Sequence, residues 1–111
     1  MFAEMMASAS GGGEPTLAKV TVSGTTTTFT WDYDADYVFV WIYYSDNTIQ
    51  LTVGDCNTAR TIRYGYGTTF SRTTGDTRFT LTKRSFTLSG VSGVNENNSY
   101  AIAFKGSLAS F

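Results

Sequence analysis

The chain has 111 residues, of which 41% are hydrophobic, 15% aromatic and only 15% charged, and its net charge is −1. That is one domain's length, with enough apolar mass for a modest core, and its charge balance provides no steering toward nucleic acid or an anionic membrane. It has no histidine and a single cysteine, which removes the commonest general base, the commonest metal ligand, an internal disulfide and any Cys/His zinc pattern.

The chain opens on Met1-Phe2-Ala3-Glu4-Met5-Met6-Ala7, followed after Ser10 by Gly11-Gly12-Gly13. Phe2, Met5 and Met6 fall on one stripe of a short helix, and methionine fills irregular apolar gaps. So short a helix is marginal by itself, and residues 1–13 read as a docking arm on a glycine hinge, with Phe2, Met5 and Met6 as its contacts. The arm has no basic n-region and Glu4 interrupts its apolar run, so it does not read as a signal peptide. No segment approaches the ~20 apolar residues of a membrane helix.

Residues 14–111 read as a β domain. Ala18, Val20 and Val22 alternate with Lys19 and Thr21, and Phe29 and Trp31 alternate with Thr26, Thr28 and Thr30, the period of half-buried strands. Asp32, Asp34 and Asp36 then lie in one loop. An EF-hand would need Gly at the sixth position and Glu at the twelfth, where Tyr37 and Tyr43 stand, so only a non-EF calcium loop competes with a solvated turn. Nothing else offers a metal or cofactor site, and the expectation is none.

Residues 36–44 are apolar on both faces: Tyr37, Phe39, Trp41 and Tyr43 on one, Val38, Val40, Ile42 and Tyr44 on the other. Such a strand needs cover on both sides. Trp41 is expected in the core, and Val38, Val40, Ile42 and Tyr44 are expected to form an interface in a homo-oligomer, a trimer being favoured. Ser45-Asp46-Asn47-Thr48 reads as a hairpin turn, and Ile49, Leu51 and Val53 as the return strand. Ile62, Tyr64 and Tyr66 make another strand, residues 67–76 and 90–99 exposed loops, and Phe79–Leu81, Phe86–Leu88 and Tyr100–Phe104 the remaining strands. About eight short strands predict an all-β, antiparallel sandwich or jelly-roll-like domain.

Tyr33, Tyr44, Tyr64 and Tyr66 are the aromatics expected at the surface, and Tyr64 and Tyr66 make the best platform for stacking a host glycan. Arg60, Arg63, Arg72 and Arg78 lie near aromatics, but no wider basic stripe supports nucleic-acid binding. Cys56 has no histidine to activate it, and no credible nucleophile–base pair appears, so no enzymatic activity is expected.

The Met-rich opening, Gly11-Gly12-Gly13, the Thr-rich β region and the apolar C-terminus together resemble small structural proteins of tailed phages and prophages. The resemblance implies a virion component, such as a tail, baseplate, fibre or capsid-decoration subunit, made in the host cytoplasm and anchored to other virion proteins by its N-terminal segment. A carbohydrate- or receptor-binding sandwich is the alternative.

Overall fold

A computed structural model describes residues 16–66, 69–71 and 78–106, with the backbone alone for 62–66 and 69–71. These residues form nine strands: β1 (Lys19–Ser23), β2 (Thr26–Thr30), β3 (Tyr37–Tyr43), β4 (Ile49–Asp55), β5 (Arg60–Tyr66), β6 (Thr69–Ser71), β7 (Phe79–Leu81), β8 (Ser85–Leu88) and β9 (Tyr100–Phe104). One sheet has the order β1-β2-β8-β7 and the other β6-β5-β4-β3-β9. Every named pairing is antiparallel, and the two sheets make the sandwich expected from the strand pattern. β6 lies within the segment read as loop from its polar sequence, and pairs with Tyr64–Tyr66.

The core lies between the sheets. Phe29 and Phe86 face each other across β2 and β8 with ring centroids 6.2 Å apart, and both are fully buried. From the other sheet, Val38, Val40 and Ile42 of β3 are buried with Ala101 and Ala103 of β9. The registers Val38↔Ala103 and Val40↔Ala101 set a branched side chain beside a methyl in each cross-strand pair. Small residues on β9 thus leave the space that the phenylalanines of the facing sheet fill, the large–small complementarity of a dense core. Gly54 serves the same end, because a Cβ there would lie 2.7 Å from Leu81 Cδ2 and 3.1 Å from Val38 Cγ1.

This packing reverses the expected faces of β3. Val38, Val40, Ile42 and Tyr44 are core residues, so they form no interface with another chain. Tyr37, Phe39, Trp41 and Tyr43 look outward, and Trp41 is 40% exposed. The inner space, already holding Phe29, Phe86 and Trp31, accepts β-branched side chains and has no room for a row of four aromatics. β4 follows the same pattern: Gln50, Thr52 and Gly54 are buried, while Ile49, Leu51 and Val53 sit on the outer side.

Turns close the hairpins through local side-chain hydrogen bonds. Asn47 takes φ 70° and Asp46 Oδ1 accepts from Thr48 N at 2.9 Å, the Asx geometry expected of that tetrapeptide. Residues 90–99 are more ordered than their composition predicts. Asn95 caps a short 3-10 turn, Glu96–Asn98, Val91 and Val94 pack on the core, and Glu96 Oε1 accepts from Val22 N at 2.8 Å.

Candidate functional site

The outer face of the five-stranded sheet carries the unusual feature. Cross-strand register places Tyr100, Trp41 and Leu51 in one row, and Ile102, Phe39 and Val53 in the next. Leu17 joins the edge through an isolated bridge to Ile102, with Ala18 N donating to Ala101 O at 2.8 Å. These rows bound an open groove of about 320 Å³ whose walls are almost wholly carbon. Leu17 is 63% exposed and Tyr100 46% exposed. Scattered surface hydrophobics are ordinary, whereas a contiguous apolar depression across three strands is not.

The groove is held in shape from both ends. At one end Phe104 is fully buried, stacked on Tyr37 at 5.8 Å and meeting Phe39 edge-on at 5.0 Å. At the other, the Tyr100 hydroxyl donates to Asn97 O at 3.2 Å and the Tyr43 hydroxyl donates to Asn47 Oδ1 at 2.6 Å. The groove thus has an apolar centre with tethered hydroxyls at its rim. A second, more polar concavity of about 410 Å³ lies over Tyr44–Asp46, Arg78 and Gly90–Gly93. Its lining joins turn and loop residues to Tyr44 and Val91.

The acidic loop is used structurally. The Arg84 guanidinium binds Asp34 at 2.8 Å and, by hydrogen bond first and charge second, holds that carboxyl below the usual range. Asp36 accepts from Gly106 N at 2.7 Å and from Asn57 Nδ2 at 3.1 Å, and these bonds, the backbone one first, lower its pKa too. The carboxylates of Asp34 and Asp36 therefore serve different neighbours, while Asp32 is exposed. Among the described residues no group of three acidic, Cys or His side chains converges as a metal site would require, so Asp32, Asp34 and Asp36 form no calcium cradle.

The remaining sequence candidates divide. Tyr44 is buried, its hydroxyl donating to Gln50 Oε1 at 2.5 Å, and Tyr33 is half-buried with its hydroxyl on Ala103 O, so neither is an exposed platform. Burial is also the main cause of the raised Tyr33 pKa. The register pairs Tyr64 with Thr52 and Tyr66 with Gln50, while the side chains of Tyr64 and Tyr66 lie outside the described residues. So do Phe2, Met5 and Met6, the rest of the arm, and residues 107–111. Cys56 is buried, and burial, reinforced by the charges of Asp55 and Asp36, pushes its thiol up to about 12. A thiol held protonated at neutral pH is no nucleophile.

Sequence reasoning missed the groove because it placed Trp41 inside. The signal that finds it is register: once β3 pairs with β4 and β9, the aromatics of 37–43, the aliphatics of 49–53 and Tyr100 and Ile102 share one face. Comparison of the chain with protein-family models, curated proteins and solved structures gives no match.

Proposed function

We propose that this chain is a non-enzymatic assembly module that joins copies of itself and other particle proteins through the outer face of its five-stranded sheet. The observation that carries this reading is the apolar groove bounded by Leu17, Trp41 and Tyr100. Leaving such a face in water costs roughly 25 cal/mol per Å² of apolar area relative to burying it, so association is its favourable state. A virion subunit, anchored by residues 1–13, is the setting that the resemblance to small tailed-phage structural proteins supports.

The groove's chemistry favours a protein over a sugar. Trp41 and Tyr100 pair directly across β3 and β9, and their rings offer the surface on which a sugar stacks. Sugar hydroxyls buried there, however, would meet almost no polar wall, and each unpartnered polar group costs about 1–3 kcal/mol. A carbohydrate site needs convergent polar groups, and the described residues that line the groove supply almost none.

Sedimentation velocity of the full chain over a wide concentration range tests the proposal. The expected result is concentration-dependent association that Tyr100→Asp weakens by at least tenfold while leaving the β-sheet circular dichroism intact. Association unaffected by Tyr100→Asp, or a monomer at every concentration, would overturn it.

A further inference from the structure

The groove opens beside the point where the described chain begins. Leu17 forms part of its wall, and residues 1–15 precede the described chain at that rim. This segment carries Phe2, Met5 and Met6 at a spacing that puts all three on one stripe of a helical turn. It also carries three consecutive glycines, Gly11-Gly12-Gly13, between that stripe and the strand region.

Chemistry and size match these side chains to the groove. Among the described residues no charged side chain lines it, so a charged occupant would be desolvated there without a partner from them. Unbranched methionine adapts to an irregular wall, and its thioether makes favourable contacts with rings such as Trp41, Phe39 and Tyr100. A volume of about 320 Å³ is about twice the ~150 Å³ cavity that takes up benzene. It seats two or three large side chains, an anchor stripe rather than a whole element.

Resting on the assembly reading, we infer that the groove is the seat of residues 1–10 of a second copy, so that subunits join head to tail, arm into groove. The direction of the backbone selects the second copy over the chain's own arm. Leu17 and Ala18 run antiparallel to Ile102 and Ala101. Followed toward the N-terminus, that path heads for the Phe104 end of the face, away from Trp41 and Tyr100. Phe104 is already packed by Tyr37 and Phe39. An arm-into-groove contact is heterologous and closes into a ring when the rotation between subunits permits.

Complementation between two full-length variants tests this. Met5→Asp/Met6→Asp disables the arm and keeps the groove. Leu17→Asp, at a mostly exposed position, disables the groove and keeps the arm, and Trp41→Asp serves as a second groove variant. Each alone is expected to associate at least tenfold more weakly than the unaltered chain. An equimolar mixture is expected to form a one-to-one dimer, read as twice the subunit mass by light scattering. If Met5→Asp/Met6→Asp associates as the unaltered chain does, the faces join without the arm: this inference falls and the assembly reading stands. If the mixture stays monomeric while the unaltered chain assembles, the arm does not reach a partner's groove and the inference falls. If the unaltered chain is itself monomeric throughout, both readings fall.

Discussion

Val40 and Ile42, on the inner face of β3, are buried, whereas Trp41 between them on the outer face is 40% exposed. The same division continues across β4, where the apolar residues Ile49, Leu51 and Val53 look outward and Gln50 and Thr52 are buried. Hydrophobicity alone therefore does not decide which side of a strand faces the core. The available volume decides: a space already holding Phe29, Phe86 and Trp31 takes branched aliphatics, small residues and even polar groups before it takes another indole. The aromatics displaced from it become the material of the groove.

Substitutions on the two faces should therefore behave differently. Phe86→Ala, inside, is expected to cost about 3–5 kcal/mol, enough to unfold much of a marginal domain, and urea titration of the full chain reads it. Trp41→Ala, outside, is expected to cost less than about 2 kcal/mol of subunit stability, its main effect falling on association. Comparable losses at the two positions in monomer would erase the distinction. Gly54→Ala, which drives a methyl against Leu81 and Val38, is expected to cost about 1–3 kcal/mol by overpacking. The same denaturation midpoints check it.

Thr52→Val sharpens the contrast from the opposite side. Its buried hydroxyl, like that of Thr27 and the Gln50 amide nitrogen, has no hydrogen-bond partner among the described residues, so replacing it with a methyl is expected to raise stability by up to about 1 kcal/mol. The smallest effect concerns pH. Asp36 has a depressed pKa in the folded state through Gly106 N and then Asn57. Its stabilisation is therefore present above the unfolded carboxylate range near pH ~4 and is lost as pH falls through the lower folded value. In Asp36→Asn, melting temperatures measured from about pH 2 to pH 7 are expected to fall less steeply at the acid end than in the unaltered chain.

The strand pattern was readable wherever apolar and Thr residues alternate, as in 19–22, 26–30 and 100–104, because that period is a local property of the chain. The hairpin at Asp46-Asn47 was readable for the same reason. The inward face of β3 was not, since it depends on Ala101, Ala103, Phe29 and Phe86, residues distant in sequence whose volumes meet only in the folded sandwich. Residues 90–99 looked like exposed loop because their anchors, Val22 N for Glu96 and the core for Val94, belong to other elements. The acidic triplet 32–36 suggested a cation until the fold supplied Arg84, Gly106 and Asn57 as its partners.

The most direct test of the outer face as an association surface uses the chain's own two tryptophans. Trp31 is 8% exposed and Trp41 40% exposed, so iodide quenching of fluorescence reports chiefly on Trp41. As concentration rises through the association range, the account predicts that quenching falls toward the level of a buried indole. Quenching that stays constant while the mass increases would place the interface elsewhere and contradict the account.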